Sequence, residues 1–291
     1  MFGILLIDKP QGLTSHDVVY RVRRALGTKK VGHAGTLDPL ATGLLVVAVG
    51  PATRFLRYLQ LEPKEYVFTV AFGRETTTYD AEGETVADNP VPVDLESKVR
   101  DSLVHFVGEI EQLPPMYSAV KKDGKPLYAY ARKGETVERE SRTVTVFSLE
   151  LVRAIGPTEL EIRCVCSGGT YVRTLAHDLG QRVGCGAHVA ALTRTKVGRF
   201  SIEDAIAPDE ANEGHLLPLA EALEPMPVVR LTEGQLFNVM HGAFLRVQNA
   251  PNETLAALTD PDGTLVSVAR VVENELHPEC VVPSEALHGA V

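Results

Sequence analysis

Hydrophobic positions along the chain switch between a two-residue period and a helical one, and the switches mark the predicted elements. The run "GILLID" (3–8) predicts a first strand that ends in the turn "KPQG". In "TSHDVVYRVRRALG" (14–27), Val18, Val19, Val22 and Leu26 share one helical face, while Arg21 and Arg24 fall on the other. Thr14 and Asp17 have capping-box spacing, and Gly27 suits the position just past the helix. "LLVVAVG" predicts a buried strand, and "ATRFLRYLQ" a short helix with Phe55, Leu56 and Leu59 inward. "EYVFTVAFG" (65–73) alternates cleanly, with Tyr66, Phe68, Val70 and Phe72 on one face; "TTTYDAEGE" after it reads as a polar loop.

Further on, Leu95, Val99, Leu103 and Phe106 have helical spacing in "DLESKVRDSLVHFVG" (94–108). "TVTVFSLELV" and "TELEIRCVC" predict neighbouring strands. A Gly-Gly turn opens "SGGTYVRTLAHDLGQRVG" (167–184), with Thr170 as N-cap and an inward stripe of Val172, Leu175, Ala176, Leu179 and Val183. Tyr171 and Arg173 lie in that helix's first turn, and His177 falls on its polar face. Strands dominate and the helices interrupt them without a regular βαβ rhythm. The expected class is therefore α+β with a mixed, mainly antiparallel sheet. The proline-rich stretch "LEPMPVV" (223–229) marks a boundary between a main domain, 1–225, and a small β-rich module, 226–291.

Composition places the chain among globular proteins, with 44% hydrophobic and 23% charged residues. No apolar run approaches the roughly 20 residues of a membrane span. The first residues carry no basic segment or small-residue cleavage site, and four cysteines do not form a disulfide framework, so a cytoplasmic protein is expected. A net charge of −9 argues against a nucleic-acid partner until its distribution is considered. Residues 1–60 hold eight Lys/Arg against three Asp/Glu, whereas residues 226–291 hold three against eight. One region of an acidic protein is thus locally basic and suited to a phosphate-bearing substrate.

That basic region contains "GHAGTLDPLATGLL" (32–45), a Gly/Pro loop that places Asp38 directly before the buried strand. The chain has no P-loop, dinucleotide fingerprint or G-x-S-x-G elbow. Cys164, Cys166, Cys185 and His188 could in principle hold zinc, but their spacing differs from that of zinc ribbons, and C-x-C alternation in a strand also describes two small core residues. The remaining constellation is Asp38, Tyr66 at a strand start and Arg173 in a helix's first turn. A buried aspartate that must stay ionised needs a cation, and a guanidinium presents a planar fork to a carboxylate. A tyrosine offers a face on which a base can stack. A glycoside or nucleoside hydrolase would usually require a second catalytic carboxylate, and the motif blocks offer no convincing partner for Asp38.

"GHAGTLDPLATGLLVVAVGPATR" resembles the signature loop of the bacterial TruB family, the tRNA pseudouridine-55 synthases. "LIDKPQGLTSHDVV", "KEYVFTVAFGRETTTYDAEG", "QLPPMYSAVKKDGKPLYAYARKGETVER", "CSGGTYVRTLAHDLG" and "GCGAHVAALTRTKVGRF" are similar to that family in the same order, covering nearly all of residues 3–205.

The resemblance implies that Asp38 attacks a flipped uridine, that Tyr66 stacks on it and that Arg173 pairs with the aspartate. Tyr171 and Leu192 would line the base pocket, and His33 would enter the T-loop. The substrate would be the T-stem-loop of tRNA, handled without cofactor, metal, guide RNA or membrane by a monomer. Arg21 and Arg24 on the first helix, with Lys121, Lys122 and Lys125 in the lysine-rich segment, would contact phosphates. The module 226–291 would be PUA-like. The competing expectation is a non-catalytic tRNA-binding or tRNA-folding protein on the same scaffold.

Overall fold

The computed structural model describes residues 1–247 and 252–287. Strand β1 (Gly3–Lys9) leads to helix α1 (Ser15–Ala25), then β2 (Val31–Ala34), β3 (Thr42–Val49) and β4 (Lys64–Phe72). A hairpin of β5 (Arg74–Thr76) and β6 (Thr85–Asp88) precedes α2 (Leu95–Leu103) and β7 (Gly108–Gln112). The two-residue strands β8 (Lys121–Lys122) and β9 (Lys125–Pro126) lead through α3 (Leu127–Ala131) to the long β10 (Arg142–Ala154) and β11 (Glu159–Cys166). Helix α4 (Val172–Val183), β12 (Ala187–Val197), β13 (Phe200–Ser201) and α5 (Leu219–Ala222) follow. The C-terminal part holds β14 (Val228–Arg230), α6 (Glu233–Met240), β15 (Leu245–Arg246), β16 (Leu255–Thr259), β17 (Leu265–Val272), β18 (Glu275–Val281) and α7 (Ser284–Leu287).

The main sheet runs β1-β3-β12-β4-β11-β10-β7, with β2 added to β3 and β13 to β12. Its pairings are antiparallel except for a short parallel contact between β3 and β12 at Thr42 and Gly43. This is the mixed, mainly antiparallel sheet expected. Gly43 sits at that crossing with φ +98°, where a side chain would collide with the Arg194 backbone. The contact therefore brings the loop before β3 directly against β12.

The helical stripe of α4 packs on β4, β11 and β12 through Leu175, Ala176 and Leu179 against Phe68, Val70 and Val189. On another part of the sheet, α1 buries Val18, Val19 and Val22 against Leu5, Leu45 and Val47. Its start is fixed by the capping box: Thr14 Oγ1 accepts the Asp17 N–H, and Asp17 Oδ2 accepts the Thr14 N–H. The C-terminal five-stranded sheet, β14-β16-β17-β18-β15, shares a core with β1 and β3, since Ala257, Val268 and Cys280 pack in the same cluster as Ile4, Leu44 and Val46.

Three local expectations are corrected. The stretch "ATRFLRYLQ" (52–60) does not form one helix: two 3-10 turns, Gly50–Arg54 and Leu56–Tyr58, take its place. Pro51 opens the first, and Phe55 and Leu59 are buried at the junctions, a fit that short 3-10 pieces achieve. The N-cap of α4 is Tyr171 instead of Thr170, whose hydroxyl turns back to donate to the Ser167 carbonyl. The stretch "TTTYDAEGE" is the turn of the β5–β6 hairpin and is not wholly solvated: Thr76 and Asp80 are buried.

Candidate active site

The first turn of α4 carries the most heavily bonded cation of the cleft. Arg173, 4% exposed, places Nη2 at 2.9 Å from Asp38 Oδ2 and Nη1 at 3.3 Å from Asp80 Oδ2. The same two nitrogens donate to the Tyr117 carbonyl at 2.7 Å and the Thr78 carbonyl at 3.0 Å. A planar fork is thus satisfied on both sides, by a carboxylate and a carbonyl each. The guanidinium gathers three chain segments around α4: the loop before β3, the β5–β6 turn and the stretch after β7.

Asp38 keeps 40% of its side-chain surface open to the cleft, while protein crowds its other sides. Burial pushes its carboxyl above the ordinary range and the Asp80 charge adds to that rise, with Arg173 opposing both. The loop that presents it is fastened from beneath. Lys9, fully buried, donates from Nζ to the Leu13 carbonyl at 2.6 Å, Pro10 at 3.0 Å and Pro39 at 3.3 Å. Ser15 Oγ accepts the Leu37 N–H at 2.9 Å.

Asp38, Tyr66, Tyr171, Arg173 and Leu192 line one cleft of about 510 Å³. Tyr66 is buried on β4, and burial pushes its phenol above the usual range. Tyr171 owes its position to Gln112 at the end of β7, whose Oε1 accepts the Tyr171 N–H at 2.9 Å and whose Nε2 donates to the Tyr171 carbonyl at 3.3 Å. That reciprocal pair replaces a side-chain cap on α4. Lys64, Lys121, Arg142, Arg173 and Arg194 also line the cleft, against Asp38 as its one carboxylate among the described residues.

Other sequence candidates lie elsewhere. His33 is on β2, outside the residues that line the cleft, with its ring edge-on to His16 at 5.6 Å. Burial lowers its pKa, helped by His16 and Arg194. Arg21 and Arg24 line a separate depression of about 430 Å³ with Tyr20 and Asp17, and Arg21 is ion-paired to Asp209 at 2.8 Å. Lys122 Nζ donates to the Glu138 carbonyl at 2.8 Å, and Lys125 is exposed on the β8–β9 hairpin. Cys164, Cys166 and Cys185 are buried thiols, and His188 Nδ1 lies 3.0 Å from the Arg74 carbonyl. Among the described residues, no three or more His, Cys, Asp or Glu side chains form a metal-binding group.

Sequence reasoning missed Asp80, Gln112, Lys64, Arg142 and Arg194. Strand parity was the available signal for two of them. Lys64 is two residues before Tyr66 on β4, and Arg194 two after Leu192 on β12, so each shares its neighbour's face.

Comparison with known proteins places this geometry in a family. A family model described as "TruB family pseudouridylate synthase (N terminal domain)" matches residues 23–172, and one for the "tRNA pseudouridylate synthase B C-terminal domain" matches residues 173–224. The chain is 45% identical over 297 residues to tRNA pseudouridine synthase B of Burkholderia mallei, covering 98% of both chains. It is 44% identical over 295 residues to the protein of that name from Cupriavidus metallidurans, covering 96% of this chain and 94% of the relative. Among solved structures, a chain of a Cbf5-Nop10-Gar1 complex superposes with a TM-score of 0.72 at 28% identity, covering 98% of this chain and 86% of that one. A chain of an H/ACA RNP bound to a substrate RNA containing 2′-deoxyuridine gives 0.71 at 27% identity, covering 96% and 84%. The chain belongs to the TruB family of pseudouridylate synthases.

Proposed function

We propose that this protein isomerises uridine to pseudouridine in tRNA, at the T-loop uridine, with Asp38 as the nucleophile. The observation that carries the reading is the Asp38–Arg173 ion pair at the floor of a cleft that also holds Tyr66 and an excess of cations. Its family membership and its identity to proteins named tRNA pseudouridine synthase B support tRNA as the substrate.

The reaction breaks the bond from N1 of uracil to C1′, rotates the base and joins C5 to C1′, with the C5 proton leaving and N1 taking one up. No electrons are gained or lost, so a nucleophile and an enclosing pocket can suffice. The target must first leave its stack, at a cost of about a few kcal/mol. Stacking on Tyr66, worth about 1–3 kcal/mol for a base on an aromatic ring, offsets part of that cost. Arg173 favours the ionised form of Asp38, opposing the desolvation that raises its pKa. Leu192 and Tyr171 close the pocket around the detached base. Asp80 holds Arg173 from behind and does not line the cleft.

Residues 1–225 form the catalytic part in this reading, and 226–291 a PUA-like module for the tRNA arm beyond the T-loop. His33 contacts the T-loop, and Lys121 faces the phosphates. Arg21, Arg24, Lys122 and Lys125 make peripheral phosphate contacts away from the cleft. The enzyme acts as a cytoplasmic monomer without guide RNA. Among the described residues no helix is long and apolar enough to cross a membrane.

The test uses unmodified tRNA labelled with tritium at C5 of uridine. Label release without free uracil is the expected result. Free uracil would identify a hydrolase, and intact label with retained binding would identify a non-catalytic tRNA binder.

A further inference from the structure

Four cations lining the cleft make no ion pair with a described residue; Lys121 and Arg142 are exposed, whereas Lys64 and Arg194 are drawn out of water. Arg194 is 1% exposed, yet among the described residues it makes no ion pair. Its Nε donates to the Leu44 carbonyl at 2.8 Å and its Nη2 to the Gly35 carbonyl at 2.9 Å, and the guanidinium also meets the Tyr66 hydroxyl. Lys64, at the start of β4, makes neither a hydrogen bond nor an ion pair with a described residue. A methyl group on Gly35 would lie 3.3 Å from Arg194 Nη1 and 3.7 Å from Lys64 Nζ, so both groups flank one spot beside the Asp38 loop. A methyl group on Gly168 would lie 3.6 Å from the same Nζ and would collide with Glu62, the nearest acid. Glu62 nevertheless stays beyond ion-pair distance of Lys64.

Two neighbouring like charges, taken partly out of water and without a direct ion pair, are unfavourable by themselves. Burial lowers the Lys64 pKa and repulsion from Arg194 lowers it further, with the Glu62 charge opposing both in part. Both line the cleft, where glycines at 35 and 169 leave backbone open to a close approach. The spot suits an anion small enough to fit beside Gly35 and broad enough to meet two cations.

We propose that Lys64 and Arg194 form a phosphate subsite that takes one backbone phosphodiester of the RNA beside the flipped nucleotide. The inference rests on the RNA-modifying reading above and adds to it a defined anchor next to the reacting sugar. Lys64 makes the direct contact, and Arg194 acts from beneath while also fixing the Gly35 carbonyl. Such an anchor holds the strand in register while the base is extruded.

The experiment measures binding of unmodified tRNA across a KCl series for wild type, Lys64→Gln and Lys64→Arg, with tritium release recorded for each. One lost phosphate contact makes the slope of log affinity against log salt shallower by about 0.7–0.9. Lys64→Gln should show that change, with affinity several-fold weaker and the loss larger in KM than in kcat. Lys64→Arg should keep the wild-type slope. An unchanged slope in Lys64→Gln, with active wild-type protein, overturns the subsite and leaves the function standing. A wild-type protein that neither binds tRNA nor releases label overturns the function and the subsite together.

Discussion

Asp80 lies behind Arg173 as Asp38 lies in front of it: the two carboxylates meet different nitrogens of one guanidinium, at 3.3 and 2.9 Å. Asp80 is also held by its own turn, accepting the Thr78 hydroxyl and the Glu82 N–H through Oδ1. It fixes where the guanidinium points and, as a second negative charge, raises the Asp38 pKa. Asp80→Asn keeps an oxygen for the turn and removes the charge. Single-turnover kcat should fall about 10- to 100-fold, equivalent to about 1.4–2.7 kcal/mol of barrier. KM for tRNA should change less, because Asp80 does not reach the cleft. An unaltered single-turnover rate would show that Arg173 is positioned without it.

Removing the charge in front of the guanidinium has a different signature. Asp38→Asn should abolish product formation while tRNA affinity stays within a few-fold of wild type, measured by filter binding. Arg173→Lys should cost at least about 100-fold in kcat and lower the melting temperature. An ammonium has three protons for four acceptors, and a buried acceptor left without a partner costs about 1–3 kcal/mol. Near-normal turnover of the lysine variant would remove the fork geometry from the mechanism.

These contacts also show how far the chain could be read without coordinates. Alternation in 65–73 and the stripe in 167–184 were legible because burial imposes a period on them. Asp80 was not, because a buried aspartate in "TTTYDAEGE" has the same letter pattern as a solvated turn; its burial depends on an arginine 93 positions further on. Gln112 was illegible for the same reason, since its role is a backbone bond across 59 residues. The basic count over residues 1–60 was real, but its meaning was mixed. Arg21 spends its charge on Asp209 away from the cleft, and the cations that do line the cleft come from strands β4, β8, β10 and β12 and helix α4. Charge counts follow the chain, whereas a cleft samples strand ends.

Tyr79 illustrates a contact of the same hidden kind. Its backbone is left-handed at φ +62°, an uncommon state for a bulky residue, and its ring stacks on His177 at 3.9 Å and 12°. His177 is one helical turn beyond Arg173, and Tyr79 lies between the Thr78 carbonyl and the Asp80 carboxylate that hold Arg173. The stack is a second fastening of that turn to α4, with a value of about 0.5–1.5 kcal/mol typical of aromatic pairs. Tyr79→Phe should be near wild type. Tyr79→Gly removes the ring while accepting the backbone angle, and should lower kcat up to about tenfold. If Tyr79→Gly retains full kcat, the backbone angle alone matters.

The pH dependence follows from two groups on opposite sides of the Asp38 loop. In the proposed mechanism Asp38 attacks as the carboxylate, and its raised pKa then places the acid limb of kcat/KM above the ordinary aspartate value of 3.8. Lys9 should set the alkaline limb, because burial lowers its pKa to about 8 and, with the proton gone, one of its three carbonyl bonds under the loop is lost. Activity should therefore decline as pH rises through about 8. Stability should respond in the opposite sense to this group. Between about 8 and the ordinary lysine value of 10.5 the unfolded chain holds the Lys9 proton and the folded chain does not, so the contribution of Lys9 to stability rises with pH. Parallel profiles of kcat/KM and urea midpoint separate the two effects: activity falling over that interval without a matching loss of midpoint supports a weakened loop anchor. Activity that stays level to pH 9 would mean the loop holds Asp38 without the Lys9 proton.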